Sequence, residues 1–191
     1  MIKQSSLLMV LMSFLLVTCQ ANTPNEKNTE NQKQASQPTS EPAVGLEIGN
    51  KAPELVFNNP DGEPIALSSL EGKIVLIDFW AAWCPPCRRE NPYIVGVYDK
   101  FKDADFKNGE GFTIYSVSLD RTKDAWVKAI EDDNLNWEYH VSDLKYWNSE
   151  AAKIYNVRGI PTNYLIDGDG IIVAKALRGE QLAEELSEHL K

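Results

Sequence analysis

Two cysteines separated by two residues carry the clearest chemical signature of this sequence. Cys84 and Cys87 enclose two prolines and follow an apolar run that ends at Trp80. If a helix begins here, Cys84 lies at its N-terminus, where unpaired backbone N–H groups and the helix dipole stabilise a thiolate. Cys87 then lies about one turn further along, close enough to form a disulfide with Cys84 or to attack one that Cys84 has made. The spacing therefore predicts redox chemistry.

Three other uses of a Cys-x-x-Cys pair fit the sequence less well. A zinc site needs further ligands, but the rest of the expected domain has no other cysteine and only His140 and His189. A c-type haem attachment needs a histidine at position 88, where Arg88 stands. A purely structural disulfide across three residues closes almost no loop and stabilises little. We therefore expect a redox pair, with neither a metal nor a cofactor.

One carboxylate interrupts the apolar run before the cysteines. Residues 74–80 are apolar at six of seven positions, as is typical of a strand buried on both faces, and Asp78 is the exception. Burial of a carboxylate is costly and is expected to raise its pKa towards neutral pH. Asp78 is therefore a candidate functional residue; the alternative is a structural acid that a neighbouring lysine or hydroxyl group satisfies.

Strands that alternate with helices are expected to position these residues. Asn-Pro-Asp-Gly predicts a turn between strands at 55–57 and 65–67, and a helix is expected from Pro85 to about Asp103 with a kink at Pro92. This order indicates a central mixed sheet covered on both faces. The other expected elements are strands near 112–119, 138–141, 163–166 and 171–174 and helices near 122–132, 149–155 and 180–190.

The segment from Asp78 to Cys87, Asp-Phe-Trp-Ala-Ala-Trp-Cys-Pro-Pro-Cys, resembles the active-site strand and turn of thioredoxins. Together with the region from Gly49 onward and the N-terminus, it is similar to the TlpA/ResA type of thiol:disulfide oxidoreductase. The resemblance covers about residues 46–191. It implies an α/β, thioredoxin-like three-layer fold, with a central mixed β-sheet flanked by helices and an N-terminal β-hairpin extension.

The resemblance also implies a role for each member of the first motif. Cys84 is the expected nucleophile, Cys87 the resolving thiol, and the two form the redox disulfide. Asp78 matches the buried acid that accepts or returns the proton of the inner cysteine. Trp83 and Pro85 are expected to belong to the substrate-binding surface.

A second motif of the family matches Gly159-Ile160-Pro161-Thr162. In the family, the peptide bond before this proline is cis and faces the cysteines, a geometry that X–Pro bonds reach at modest cost. Ile160 is then expected to offer backbone groups to an extended substrate segment. Pro161 is expected to keep metal ions away from the thiols. An ordinary loop proline before a strand is the alternative.

The direction of electron flow depends on how well the Cys84 thiolate is stabilised. The two prolines between the cysteines carry no N–H, which reduces the number of donors and favours a reductant. Arg88 and Arg89 place positive charge nearby and oppose this effect, although Glu90 offsets one of them. We expect a reductase rather than an oxidase.

The N-terminal residues have the features of an export signal. Met1 and Lys3 precede an apolar run at 7–17 that is too short to span a bilayer of about 30 Å. The run ends just before Cys19 and resembles a bacterial lipoprotein signal; a simple secretory signal with an incidental cysteine is the alternative. We expect a signal peptide at 1–18, a lipid-anchored disordered tether at 19–45, poor in apolar residues, and the catalytic domain at 46–191.

Composition and family resemblance together define the expected partners. The net charge of −9, from 28 acidic and 19 basic residues, argues against a nucleic-acid binder. The resemblance implies exported proteins with disulfides or cysteine pairs as substrates, with apocytochrome c as one candidate, and a membrane thiol protein as electron donor. The membrane itself is an expected partner through the lipid on Cys19, on the periplasmic or extracytoplasmic side of a bacterial envelope membrane.

Two rival functions have weaker sequence support. A thioredoxin-fold peroxidase needs a lone cysteine behind a Pro-x-x-x-Thr frame, which is absent before Cys84. A copper-delivery protein of this superfamily uses Cys-x-x-x-Cys with a distant histidine, whereas the spacing here is two residues.

Overall fold

The computed structural model describes residues 41–191, so Cys19, the expected signal peptide and most of the expected tether lie outside the described residues. The structure confirms the expected order of strands and helices. The strands are β1 (Val56–Asn58), β2 (Pro64–Ala66), β3 (Ile74–Trp80), β4 (Asp105–Phe106), β5 (Gly109–Glu110), β6 (Phe112–Ser118), β7 (His140–Val141), β8 (Thr162–Ile166) and β9 (Ile172–Lys175). The helices are α1 (Pro85–Phe101), α2 (Lys123–Asp132), α3 (Glu150–Ile154) and α4 (Glu180–Glu188), with short 3-10 helices at Leu67–Leu70 and Tyr146–Asn148.

The central sheet is mixed and has the strand order β7-β6-β3-β8-β9. Strand β3 is parallel to β6 and antiparallel to β8, and all seven of its residues are buried. The expected α/β fold, a mixed sheet flanked by helices, is therefore confirmed. Strands β1 and β2 form the separate N-terminal hairpin that the turn signal predicted.

Alternation along β3 divides the core into two clusters. Ile74, Leu76 and Trp80 pack with α1 and α4, whereas the intervening residues of β3 pack with the N-terminal hairpin and α3. Asp78 is an even-numbered residue like Ile74, Leu76 and Trp80, so its side chain is on the face of β3 that packs against α1. Helix α1 carries Cys87. The strand thus points its one carboxylate towards the face that holds the cysteines.

Helix α1 begins where the sequence predicts. Cys84 is its N-cap in an extended conformation, and prolines occupy the first two helical positions, where a missing N–H costs nothing. The helix extends unbroken through Pro92 to Phe101. The cysteine pair is thereby fixed at the junction between the most buried strand and a long helix.

The hairpin of β4 and β5 was not predicted. Each strand has only two residues, too few to show an alternating pattern. The hairpin holds the end of the chain: the Lys107 N–H donates to the His189 carbonyl at 2.8 Å, and the Lys191 N–H donates to the Asp105 carbonyl at 3.1 Å.

Residues 43–52 form backbone hydrogen bonds with the first residue of β9, at the outer edge of the sheet. The Gly49 N–H donates to the Ile172 carbonyl at 2.8 Å, and the Ile172 N–H donates to the Asn50 carbonyl at 2.9 Å. The Lys51 N–H donates to the Ala43 carbonyl at 3.0 Å, so backbone pairing begins slightly before residue 46, the expected start of the domain. Covering this edge leaves fewer unpaired backbone groups for another strand to join.

Within residues 41–191, no helix is both long enough and apolar enough to cross a membrane.

Candidate active site

The two cysteines are joined in a disulfide at the end of β3. The S–S distance is 2.05 Å and the Cα atoms are 5.3 Å apart. Both residues are almost completely buried. The structure therefore brings together the pair that the spacing singled out, at the N-terminus of α1.

One backbone donor reaches the sulfur of the outer cysteine. The N–H of Cys87 donates to Cys84 Sγ at 3.2 Å. Pro85 and Pro86 are exposed and have no N–H, so the Cys87 amide is the one backbone donor to this sulfur that the described residues supply. A helix that begins at residue 85 directs such an amide towards its N-cap side chain, so this donor agrees with the position expected for Cys84 at the helix N-terminus.

The loop before β8 faces the disulfide. The Ile160–Pro161 peptide bond is cis, as the family resemblance implied. The Ile160 carbonyl oxygen lies 3.7 Å from Cys84 Sγ. Thr162 Oγ1 donates to the Gly159 carbonyl at 2.7 Å and closes the loop. Backbone groups of Ile160 thus stand beside the sulfur that a substrate would have to approach.

An aromatic group lines one side of the disulfide. Trp83 is 40% exposed, and its Nε1–H donates to the Leu119 carbonyl at 3.1 Å. The Tyr146 ring packs against it at a centroid distance of 4.9 Å, and the Trp147 ring at 5.9 Å. Trp83 therefore presents a fixed apolar surface next to Cys84. No sequence motif pointed to Tyr146, which reaches the site through the fold.

Asp78 is buried at the centre of β3. It is 3% exposed, and its Oδ1 has no hydrogen-bond partner among the described residues. Burial raises the pKa of this carboxyl from 3.8 to about 7; the positive charge of Arg178 lowers the pKa and the negative charge of Glu90 raises it. The expected shift towards neutral pH is therefore present, and Asp78 is able to exchange a proton near pH 7.

Arg178 connects the loop before β8 to the start of α4. One guanidinium nitrogen donates to the Leu177 carbonyl at 2.6 Å, and another donates to the Pro161 carbonyl. The adjacent Gly179 N–H donates to the carboxylate of Glu90 on α1. Sequence reasoning missed Arg178, because it lies 91 residues after Cys87 and belongs to no recognisable motif.

Arg88, which was expected to place positive charge near Cys84, has carboxylate partners of its own. Its guanidinium pairs with Asp133, with one contact of 2.7 Å, and lies 3.9 Å from Asp132. It also donates to the Ala82 carbonyl at 3.3 Å, and the Asn91 amide donates to Asp133 at 2.6 Å. Arg88 therefore anchors the first turn of α1, and its charge is largely balanced.

No group of three or more histidine, cysteine, aspartate or glutamate side chains is arranged to hold a metal ion within residues 41–191.

Comparison with protein families places most of the domain in one of them. The model of the AhpC/TSA family matches residues 48–175, which include the cysteine pair, Asp78 and the cis-proline loop. ResA, a thiol-disulfide oxidoreductase of Bacillus thuringiensis subsp. konkukian, is 34% identical over 146 residues, which are 76% of this chain and 78% of the relative. ResA of Bacillus subtilis is 30% identical over 142 residues, 74% of this chain and 73% of the relative.

Solved structures of thiol-disulfide oxidoreductases are also similar to this chain. The thioredoxin domain of a thiol-disulfide oxidoreductase from Bacteroides vulgatus superposes with a TM-score of 0.68 and 38% identity, and covers 77% of this chain and all of that domain. A thiol:disulfide interchange protein from a Bacteroides species superposes with a TM-score of 0.67 and 38% identity, and covers 76% of this chain and 91% of that one. The fold expected from the cysteine motif is thus the fold of its relatives.

Proposed function

The chain belongs to the AhpC/TSA family and is a thiol-disulfide oxidoreductase of the ResA type, and we propose that it reduces disulfides in exported proteins. The observation that carries the proposal is the Cys84–Cys87 disulfide, which lies against the Ile160 carbonyl with the buried Asp78 on the same face of β3. The arrangement of these groups and the membership of the family both support thiol–disulfide exchange.

The first step is attack by Cys84. In the reduced protein, its thiolate attacks one sulfur of a client disulfide; the client S–S bond breaks, a client thiolate leaves, and a mixed disulfide forms on Cys84. Backbone groups of Ile160 bind the extended client segment beside this sulfur, and Trp83 and Pro85 contact it. Pro161 offers no N–H and keeps metal ions from the thiols.

The second step is resolution by Cys87. Its thiol proton passes to the Asp78 carboxylate, and its thiolate attacks Cys84 Sγ. The S–S bond between Cys84 and Cys87 forms, and the second client thiolate leaves and takes up the proton. The client has gained two electrons and the domain is left oxidised, the state that the structure presents. A membrane thiol protein then returns two electrons.

Two features of the site support the reducing direction. The Cys84 sulfur receives one backbone N–H, from Cys87. The positive charge of Arg88 is balanced by Asp133 and Asp132. A thiolate with few stabilising partners makes the reduced form less stable, and the couple is then a better reductant.

The proposal includes a location outside the cytoplasm. It rests on the sequence of residues 1–45: a signal peptide at 1–18, acylation of Cys19 and a tether to residue 45 would hold the catalytic domain at the outer side of an envelope membrane. Apocytochrome c is one candidate client, by family analogy. Mass spectrometry of the mature protein tests this part, and an N-terminus other than an acylated Cys19 contradicts it.

A trapping experiment tests the exchange function. In a Cys87→Ala variant, the mixed disulfide on Cys84 cannot be resolved, so clients are retained and mass spectrometry identifies them. The matched control is the Cys84→Ala/Cys87→Ala double variant, which should retain none. An empty trap in the native envelope would contradict the proposal.

The reduction potential tests the direction. A reductant requires a potential well below the roughly −120 mV of the strongest oxidants of this fold. Equilibration of the domain with glutathione redox buffers measures it, and a value near −120 mV would assign the protein to oxidation instead.

A peroxidase remains the closest enzymatic rival. The match to the AhpC/TSA family is compatible with it, whereas the resolving cysteine only three residues after Cys84 favours dithiol exchange. Peroxide consumption by the reduced domain, compared with reduction of a protein disulfide, separates the two functions. Copper titration tests the copper-delivery alternative.

A further inference from the structure

All five arginines of the chain lie at the disulfide end of the central sheet. Arg88 and Arg89 follow Cys87 in the first turn of α1, and Arg121 follows the end of β6, which is parallel to β3. Arg158 comes two residues before Ile160, and Arg178 donates to the Pro161 carbonyl. In a chain of net charge −9, the guanidinium groups are thus all found at the end of the sheet where a client would approach the disulfide.

Most of these arginines have no carboxylate partner. Among the residues that the structure describes, Arg88 is the only arginine with a carboxylate oxygen within 4.0 Å. Arg178 uses its donors on backbone carbonyls. Arg89, Arg121 and Arg158 are exposed. Guanidinium groups recognise carboxylates through paired N–H donors, so this end of the molecule is suited to an acidic partner.

Of these three exposed arginines, Arg121 has a guanidinium group that an aromatic ring holds in place. Its guanidinium carbon lies 4.1 Å from the centre of the Tyr146 ring, a cation–π contact that fixes the group without using its N–H donors. Tyr146 in turn packs on Trp83, the residue before Cys84. The stack Arg121–Tyr146–Trp83 therefore holds a cation in a fixed position, separated by the Tyr146 ring from the residue that precedes the nucleophile.

A cleft opens beside this stack. Its volume is about 450 Å³, and its wall includes Ala82, Trp83, Asp120, Arg121, Ala125 and Tyr146. Asp120 does not oppose an anion there: it is 1% exposed, and its carboxylate accepts hydrogen bonds from the Ala82 N–H at 3.0 Å and from Ser118 at 2.7 Å. Arg121 is the exposed charge of the cleft.

We propose that this cleft binds an acidic side chain of the client close to the cysteine that Cys84 attacks, with Arg121 as the residue that recognises its carboxylate. The client segment that pairs with Ile160 then has a second point of attachment, in the cleft that Trp83 lines. This inference rests on the proposed reduction of protein disulfides and specifies which clients are preferred: those with a glutamate or aspartate near the reactive cysteine.

Matched peptides test the preference. Each synthetic peptide contains one intramolecular disulfide, and the members of a pair differ only by Glu or Gln at one position, one to four residues before or after the attacked cysteine. The pre-reduced protein is mixed with each peptide and the second-order rate constant of reduction is measured. At one or more positions the Glu peptide should react roughly three- to tenfold faster, as expected of a partly exposed ion pair between charged groups.

Three variants assign the preference to Arg121. Arg121→Gln should bring the ratio of the Glu-peptide rate to the Gln-peptide rate to about one. Arg121→Glu should bring that ratio below one and make a Lys peptide react faster than the Gln peptide. Lys107→Gln is the control, because it removes one positive charge at the other end of the sheet, where Lys107 contacts the Glu188 carbonyl. It should leave the ratio unchanged.

The same data separate this inference from the function on which it rests. Equal rates for Glu and Gln peptides at every position, or a preference that persists in Arg121→Gln, would overturn the acidic site while reduction of the Gln peptides upholds the oxidoreductase. Failure of the protein to reduce any of the peptides would overturn both.

Discussion

Asp78 is the residue whose ionisation should govern turnover. Its carboxylate is buried, its pKa is raised to about 7, and it lies on the face of β3 that packs against the helix of Cys87. A carboxyl group accepts a proton only when it is ionised, so resolution of the mixed disulfide should accelerate as the pH rises through about 7.

Asp78→Asn should slow resolution at pH 7 by the order of 10²-fold, because Cys87 loses its proton acceptor. Stopped-flow measurement of the release of the second client thiol checks this. Attack by Cys84 on the client disulfide is the internal control and should keep its rate. Unchanged release would remove Asp78 from the mechanism.

Arg178 should set the pH at which this acceleration occurs. Its charge lowers the pKa of Asp78, so Arg178→Gln should move the midpoint of the rate–pH profile upward. Arg178→Lys keeps the charge and should restore the midpoint, which a loss of structure alone would not explain. Glu90→Gln should shift the midpoint in the opposite direction, since the charge of Glu90 raises the pKa. If the midpoints of Arg178→Gln and Glu90→Gln both equal that of the wild type, these two charges do not affect the pKa of Asp78.

At the residue scale, the sequence predicted the groups that short motifs carry. Cys84, Cys87, Asp78 and Pro161 stand out because their types are unusual at those positions. Arg178, Tyr146 and Arg121 escaped because each is an ordinary residue until the fold places it beside the disulfide. The pairing of Arg88 with Asp133 escaped for the same reason, since 45 residues separate the partners.

At the element scale, two glycines have opposite roles. A β-carbon on Gly96, within α1, would meet no atom of a neighbouring element within 4 Å, whereas a β-carbon on Gly111 would lie 2.6 Å from the Lys102 carbonyl oxygen. Gly111 also has a φ of +76°, which side chains other than glycine rarely adopt. Helix α1 tolerates a side chain at Gly96, and the turn into β6 does not tolerate one at Gly111.

The two alanine substitutions should therefore change stability in opposite directions. Gly96→Ala should raise the free energy of unfolding by about 0.5–1 kcal/mol, because alanine has the higher helix propensity. Gly111→Ala should lower it by about 2 kcal/mol or more, through strain and collision with backbone. Urea unfolding of the oxidised domain measures both, and equal signs for the two would contradict the assignment.

Strands and helices were predictable where a long apolar run or characteristic turn residues indicated them in the sequence. Strand β3 is a continuous apolar run, α1 begins at a proline pair, and Asn-Pro-Asp-Gly marks the turn of the β1–β2 hairpin. Strands β4 and β5 were not predictable, because two-residue strands are formed by contacts with the end of the chain rather than by their own sequence.

At the scale of the whole molecule, two buried groups give stability opposite dependences on pH. Burial lowers the pKa of His140 from 6.5 to about 4 and raises that of Asp78 from 3.8 to about 7. Between about pH 4 and 6.5 the unfolded chain binds more protons at His140, so this group makes stability fall as the pH falls. In the same range the folded chain binds more protons at Asp78, so this group makes stability fall as the pH rises.

Single substitutions should reveal how each of these two groups makes the free energy of unfolding depend on pH. Relative to the wild type, Asp78→Asn should gain stability as the pH rises from about 4 to 7, by an amount of the order of 2–4 kcal/mol. His140→Gln should gain relative stability as the pH falls from about 6.5 to 4. Chemical unfolding at a series of pH values, followed by circular dichroism, measures these differences. A pH-independent difference for either variant would show that its group does not titrate differently in the folded and unfolded states.

Both ends of the described chain enter the domain on the side away from the disulfide. Residues 43–52 pair beside the turn between β8 and β9, and Lys191 pairs with Asp105 in the hairpin that precedes β6. Cys84 follows the opposite end of β3. The domain can therefore be fused or immobilised on an electrode at that side, with the face through which a client approaches the disulfide left unobstructed.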